Sequence, residues 1–194
     1  MKVTDMSVER IRSFIAFEIN EVSVLKQFTD VQQALIETGA DLKLVRPENI
    51  HVTVRFLGEI TPLMVNKVCK EMNSISFKPF EIELRGLGSF PNPRRVRVIW
   101  VGIRSGNEEL LDIFNRLENR LLKLGFAPDR RGFSPHLTIA RVRSGRNREL
   151  LTQQILSRSD HDFGTINADS LKLIKSVLTP RGPIYSTLHE VKAA

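Results

Sequence analysis

The chain has 194 residues, 41% apolar and 26% charged, a composition that suits a soluble globular domain and excludes a disordered chain. No run approaches the ~20 apolar residues of a transmembrane helix, and the N-terminus carries charges where a signal peptide needs an apolar stretch. Cys69 is the only cysteine, which excludes an internal disulfide and a cysteine-rich metal site. We therefore expect a cytoplasmic protein in a reducing compartment.

The positive charge is concentrated. Lysine and arginine number 29 against 22 aspartates and glutamates, a formal net charge of +7. Arginines cluster within 94–97, 130–131 and 141–148. A clustered excess of this kind favours a partner that carries phosphate groups.

Hydrophobic periodicity predicts strands and helices along the whole chain. The predicted strands, in chain order, cover 11–19, 42–45, 50–57, 80–87, 96–103, 133–142, 171–178 and 184–191. The predicted helices carry apolar stripes over 24–35, 64–75, 110–124 and 150–157, and the second of them is preceded by Thr61 as N-cap and Pro62 at its first position. Several neighbouring strands are joined by short turns. This order predicts an α+β fold with mostly antiparallel sheets.

A short motif occurs twice. His51-Val52-Thr53-Val54 and His136-Leu137-Thr138-Ile139 follow the same H-x-T-x pattern, each on a predicted strand. Residues two apart on a strand face the same side, so each histidine shares a face with its threonine while the apolar residues face the core. We interpret the chain as two related lobes that each contribute one copy to a common cleft.

Two imidazoles and two hydroxyls suit chemistry at a phosphodiester. One neutral imidazole accepts a proton from the nucleophile and one imidazolium donates a proton to the leaving oxygen. Threonine hydroxyls stabilise the phosphate oxygens on which charge develops. This scheme needs no metal or other cofactor, and zinc is disfavoured because no third ligand lies near either copy.

These segments resemble the RNA 2′,3′-cyclic phosphodiesterases, also called 2′-5′ RNA ligases, of the two-histidine phosphodiesterase superfamily. The resemblance covers residues 12 to 188 and includes RSFIAFEI, ENIHVTVRFLGEI, GSFPNPRRVRVIWVGI, FSPHLTIARVR and LTPRGPIYSTL. It implies a single bilobal domain, 1–194, with two pseudo-symmetric lobes around a central cleft. The N-terminus is longer than is usual in the family, so we interpret residues 1–10 as a flexible extension.

The resemblance also implies an activity: hydrolysis of RNA 2′,3′-cyclic phosphate ends, tRNA halves among them, to 2′-phosphomonoesters. His136 is then the proton acceptor, His51 the proton donor, and Thr53 and Thr138 the phosphate ligands. Arg141 resembles an arginine that lies near the phosphate in related enzymes. Strict alternation would place it opposite His136, so a bulge or the strand end must redirect it.

Other candidates come from position along the chain. By alternation Arg55 shares the face of His51 and is a candidate for contact with the RNA backbone. Phe14 and Phe133 are candidates for stacking on the terminal base. Phe90 lies in a loop that we expect to border the cleft, and we assign Trp100 to the core.

Three alternatives stay open. The same site run in reverse would join RNA ends through a 2′-5′ linkage, and a narrower site would hydrolyse a small cyclic nucleotide. A non-catalytic RNA-binding module is the third, although intact histidines and threonines in both copies argue against it. We expect a monomer without membrane association.

Overall fold

The computed structural model describes residues 9–130 and 132–194. Arg131 and most of the predicted N-terminal extension lie outside these residues. The described strands are β1 Ile11–Glu18, β2 Leu42–Leu44, β3 His51–Ile60, β4 Phe80–Phe90, β5 Val98–Ile103, β6 Leu137–Val142, β7 Asp162–Ala168, β8 Ser170–Thr179 and β9 Gly182–Lys192. The described α-helices are α1 Val22–Ile36, α2 Pro62–Met72, α3 Asn107–Lys123 and α4 Arg148–Leu156.

The strands form two sheets, and every pairing between neighbouring strands is antiparallel. The first sheet has the order β3-β1-β8-β9, and the second has the order β2-β6-β5-β4-β7. With β2 set aside, each sheet is a run of four strands that begins with a strand of the repeated motif, β3 in one and β6 in the other. The predicted α+β class with antiparallel sheets is therefore confirmed.

Helices cover one face of each sheet. α3 packs against β3 in the first sheet, and α2 packs against α3, while α1 and α4 pack against strands of the second sheet. Thr61 caps α2 as predicted, because its Oγ1 accepts a hydrogen bond from the backbone nitrogen of Met64 at 3.2 Å. The apolar residues of both motifs lie in the core, since their side chains are 0–3% exposed; they are Val52, Val54, Leu137 and Ile139.

The structure differs from the sequence-based prediction in one missed strand and in several boundaries, among them those of β3 and β4. β7 was not predicted, because Asp162, Gly164 and Asn167 weaken its β-propensity and leave few apolar residues to signal it. β3 continues past Gly58, which has a φ of 73°, instead of ending there. β4 likewise extends to Phe90, into a segment whose glycines and prolines predicted a loop.

Candidate active site

His51 is the first residue of β3, and the backbone two residues earlier orients its ring. Its Nδ1 donates to the carbonyl oxygen of Asn49 at 2.8 Å. Asn49 is buried, and its side-chain nitrogen donates to the carbonyl oxygen of Pro183 on β9 at 3.1 Å. A protonated Nδ1 leaves Nε2 as the ring nitrogen that exchanges a proton with a ligand.

His136 repeats this arrangement in the second sheet. It immediately precedes β6, and its Nδ1 donates to the carbonyl oxygen of Ser134 at 2.7 Å. Each histidine is thus bonded to a carbonyl two residues upstream, and in each Nε2 is the remaining nitrogen. The backbone selects the same tautomer for both neutral rings.

The two rings interact electrostatically although they belong to different sheets. Burial lowers the pKa of His51, and the positive charge of His136 lowers it further. The Asn49 carbonyl and the Glu18 carboxylate act in the opposite direction. Glu18 pairs with His51 across β1 and β3 and accepts a hydrogen bond from Lys172 at 2.5 Å. β3 and β6 also contact each other across the two sheets, which brings the two histidine-bearing strands together.

Thr53 and Thr138 lie on the histidine-bearing faces, which we call the motif faces, and the space between the two motif faces is the cleft. Thr53 pairs with Ala16 on β1, and Thr138 pairs with Trp100 on β5. Both threonines are partly exposed. Neither hydroxyl bonds another residue within the described parts of the chain, so both are available to a ligand.

A β-bulge brings Arg141 onto the motif face of the second sheet. The register of β6 against β5 skips Ile139, so Thr138 and Arg141 face the same side. Burial raises the pKa of Tyr185 in the first sheet, and the charge of Arg141 opposes that rise. Arg141 is exposed and acts across the cleft, as the predicted bulge requires.

The predicted placement of Arg55 beside His51 is wrong. The register of β3 against β1 skips Val54, and this bulge turns Arg55 to the helix-covered face, where it is 9% exposed. Its Nε donates to Glu118 on α3 at 2.7 Å, and its Nη2 donates to the carbonyl oxygen of Ala127 at 2.6 Å. Arg55 therefore fixes the segment after α3 and is not available to RNA.

The same bulge gives the motif face to Phe56, a residue that the sequence analysis did not single out. Phe56 is 52% exposed, and its ring centroid lies 5.9 Å from that of Phe14. Phe56 is the fifth residue after His51, and Arg141 is the fifth residue after His136. Phe56 in β3 therefore corresponds to Arg141 in β6. Aligning the two motifs beyond their fourth residue would have revealed this correspondence.

Neither phenylalanine that we expected to stack on the terminal RNA base is free to do so. Phe14 stacks on His51 with 4.6 Å between ring centroids, contacts Tyr185 edge-on at 5.1 Å and is 3% exposed. Phe133 stacks on Phe114 of α3 at 4.6 Å with an interplanar angle of 10°. Both predictions are wrong, because Phe14 packs behind the catalytic candidate and Phe133 packs against a helix.

Trp100 lies on the motif face of the second sheet and not in the core, to which the sequence analysis assigned it. Its ring centroid is 6.2 Å from that of His136, and Phe90 contacts the same histidine at 4.9 Å. Gly88 pairs with Trp100, and a Cβ there would lie 2.1 Å from the indole ring. The glycine therefore makes room for an indole that lies flat beside the cleft.

The remaining histidines make contacts of their own. The Nε2 of His189 lies 2.7 Å from Oδ1 of Asn73, and the ring of His161 contacts Phe163 at 4.7 Å. Within 9–130 and 132–194, no group of three or more His, Cys, Asp or Glu residues is placed to hold a metal ion. None of the helices in those ranges is long and apolar enough to cross a membrane.

The chain is similar to known proteins of one phosphoesterase family. The sequence profile of the LigT-like phosphoesterases matches residues 19–100 and again 101–185, so each match contains one motif histidine. An Aeropyrum pernix protein named RNA 2′,3′-cyclic phosphodiesterase is 42% identical over 164 residues, 84% of this chain and 93% of its own length. A protein of the same name from Methanocaldococcus jannaschii is 38% identical over 92% of this chain and 99% of its own.

Solved structures share the fold at lower sequence identity. Escherichia coli LigT in complex with 3′-AMP superposes with a TM-score of 0.79 at 20% identity, covering 96% of this chain and 99% of LigT. A structure from Thermus thermophilus gives a TM-score of 0.77 at 23% identity, covering 94% of this chain and 97% of its own. At these identities the likeness supports the fold.

Proposed function

Since the chain belongs to the LigT-like phosphoesterase family, we propose that it hydrolyses RNA 2′,3′-cyclic phosphate ends to 2′-phosphomonoesters. One observation carries this proposal. Two histidines from different sheets are each held through Nδ1 by a carbonyl, and each has a threonine hydroxyl on the same face. That geometry supplies two proton-transfer groups and two hydrogen-bond donors for one phosphate.

The chemical step adds water across the bond between phosphorus and the 3′ oxygen. Nε2 of His136 accepts a proton from water as the water oxygen attacks phosphorus. The bond to the 3′ oxygen breaks, and Nε2 of His51 donates a proton to that oxygen. The products are a 2′-phosphomonoester and a 3′-hydroxyl, with the proton balance carried by the two imidazoles.

Three residues are candidates for binding the negatively charged phosphate oxygens. The hydroxyls of Thr53 and Thr138 donate from opposite sheets, and Arg141 supplies a guanidinium from the motif face of the second sheet. A charged hydrogen bond to an oxyanion is roughly twice as strong as a neutral one. Arg141 is therefore the residue that contributes most to binding the negative charge, and no metal enters this scheme.

The lowered pKa of His51 bears on the assignment of roles. A general acid must carry a proton, and burial disfavours the charged imidazolium in the free protein. A bound phosphate places negative charge beside the ring, which raises the pKa again and favours the acid form. The low pKa also favours an exchanged assignment, with His51 as base and His136 as acid, in which the leaving oxygen lies beside His136 instead of His51.

The test uses a short RNA with a 2′,3′-cyclic phosphate end and EDTA in the buffer. We expect the wild type to form a 2′-phosphate, and His51→Ala and His136→Ala each to lose about 10²–10⁴-fold in rate. Chromatography against 2′- and 3′-phosphate standards identifies which phosphomonoester is formed.

His189→Gln is the matched control, because it removes a histidine that bonds Asn73 instead of the cleft residues. Retained activity in either alanine variant would contradict the two-histidine mechanism. Joined 2′-5′ RNA in place of a phosphomonoester would identify ligation as the reaction of this site.

A further inference from the structure

A groove at one end of the second sheet is lined by arginines that the proposed catalysis does not use. It measures about 460 Å³ and lies where the segment before β5 meets the end of β6 and the start of α4. Its lining residues are Arg95, Val96, Arg97, Val142, Arg143, Ser144 and Arg148. We propose that this groove binds the backbone of single-stranded RNA upstream of the end held between the histidines, an inference that rests on the proposed function.

The charge of this region is unbalanced. Segments 94–97 and 143–149 contain six arginines and one acidic residue, Glu149, which accounts for most of the chain's net charge of +7. The four groove arginines are exposed, and none forms an ion pair with another described residue. Five arginines elsewhere do form such pairs: Arg55, Arg85, Arg104, Arg116 and Arg120. Uncompensated guanidinium groups around a groove favour phosphate over any neutral ligand.

The backbone of the groove is fixed by hydrogen bonds and not left as loose loops. The backbone nitrogen of Val142 donates to the carbonyl oxygen of Arg97 at 2.9 Å, which joins the two arginine segments. The backbone nitrogen of Arg143 donates to the carbonyl oxygen of Asp41 at 2.9 Å. Val96 is buried and Val142 half-buried, while the four arginines of the groove are exposed.

Two connections place the groove near the active site. The backbone nitrogen of Arg97 donates to the carbonyl oxygen of Phe90 at 2.8 Å, and the ring of Phe90 contacts His136. On β6, Arg141 faces the cleft and Arg143 enters the groove two residues later, roughly 7 Å along an extended strand. A chain whose 3′ end occupies the cleft can therefore pass its preceding phosphates along this row of arginines.

The chemistry of a 3′ end sets the direction in which the RNA strand extends from the cleft. A 2′,3′-cyclic phosphate occupies the last nucleotide, so the rest of the RNA extends only toward its 5′ side. Exposed arginines contact phosphates without reading bases, which gives affinity independent of sequence. The groove thus assigns the enzyme to RNA strands in preference to isolated cyclic nucleotides.

The experiment compares a dinucleotide and a 12-nucleotide RNA, both with 2′,3′-cyclic phosphate ends. The test variant carries Arg95→Gln, Arg97→Gln, Arg143→Gln and Arg148→Gln. We expect its KM for the 12-nucleotide RNA to rise at least about tenfold at low salt, with kcat and KM for the dinucleotide unchanged, since phosphate contacts supply affinity and not the chemical step.

Binding of the labelled 12-nucleotide RNA is measured by anisotropy in a His136→Ala background, which prevents turnover. Four phosphate contacts predict a slope of about −2.8 in log K against log salt, or about 50-fold between 50 and 200 mM salt. The variant should lose most of that slope. Lys67→Gln with Lys123→Gln, exposed residues of α2 and α3 on the other lobe, controls for loss of general charge and should change the slope little.

Two results would overturn the proposal. Unchanged affinity for the 12-nucleotide RNA would mean that the arginines face only solvent. Equal losses for dinucleotide and 12-nucleotide substrates would mean that the substitutions disturb the catalytic site. If the wild type hydrolyses neither substrate, the proposed function fails, and the salt slope of binding still decides whether the groove holds RNA.

Discussion

β3 and β6 carry the same motif, the same carbonyl anchor for the histidine ring and a bulge at the same position, yet the two histidines have different surroundings. His51 lies among aromatic rings, since Phe14 stacks on it and Tyr185 contacts it edge-on at 5.6 Å. His136 contacts Phe90 and Trp100. Burial lowers the pKa of His51.

This comparison separates geometry from electrostatics. The backbone places two equivalent imidazoles, and the residues around them set which ring holds a proton. The position five residues after the histidine shows the same division, because it is the apolar Phe56 in one strand and the cationic Arg141 in the other. The repeated framework thus carries an apolar residue in one half and a cationic residue at the corresponding position of the other.

The largest expected difference between the two histidines appears with a modified substrate, in which sulfur replaces the bridging 3′ oxygen of the cyclic phosphate. A thiolate, with a thiol pKa of about 8.5, leaves without protonation, unlike an alkoxide. We expect this substrate to restore to His51→Ala most of the about 10²–10⁴-fold that the variant loses on the oxygen substrate, and to restore nothing to His136→Ala. Single-turnover rates on both substrates measure this. Rescue of His136→Ala alone would assign the acid role to the other strand.

An intermediate effect comes from the two arginines that follow the motifs. Arg141→Gln should lower kcat/KM by about 10- to 150-fold, since a hydrogen bond to a charged group contributes about 1.5–3 kcal/mol, and should leave the urea midpoint unchanged.

Arg55→Gln should lower the free energy of unfolding by about 3–5 kcal/mol by leaving Glu118 unpaired in a buried site. The folded fraction should retain activity. Reversed outcomes would mean that the bulges do not set the faces of these residues.

The smallest effect sharpens the comparison of the two rings. Phe14→Leu exposes His51, so its pKa should rise toward the ordinary value of about 6.5, while Glu18→Gln should lower it further by removing a favourable charge. Titration of the histidine ring protons by NMR measures both. An acid must be protonated to act, so the alkaline limb of the rate profile should move to higher pH in Phe14→Leu. If the alkaline limb shifts in neither variant, the protonation state of His51 does not control the rate.

The repeated motif made much of this site predictable. Period-two alternation is reliable from each histidine to its threonine, because the intervening residue is apolar and faces the core. Alternation fails at Val54, where one extra residue inverts the faces of Arg55 and Phe56. This bulge leaves no mark in the hydrophobicity pattern, because Val54 stands between Thr53 and Arg55 and the sequence still alternates polar and apolar residues.

The aromatic residues were harder to place because composition does not distinguish a core ring from a cleft ring. Trp100 lies in an apolar strand, and its place on the motif face follows from its pairing with Thr138, while Gly88 on the neighbouring strand leaves room for the indole. Phe14 is buried by rings that come from strands far apart in sequence, including Tyr185 on β9. Such environments depend on sheet order, which periodicity within a single strand does not encode.

The matching carbonyl anchors have a consequence for successive turnovers. In the proposed hydrolysis His51 ends without its proton and His136 ends with one, so the site finishes with its charge on the opposite ring. Turning either ring to pass the proton on would break its bond to the Asn49 or Ser134 carbonyl. The starting state then returns only by proton exchange with solvent. The protein therefore alternates between two charge states of one symmetric frame, and the state left by hydrolysis is the one from which the cyclic phosphate would re-form.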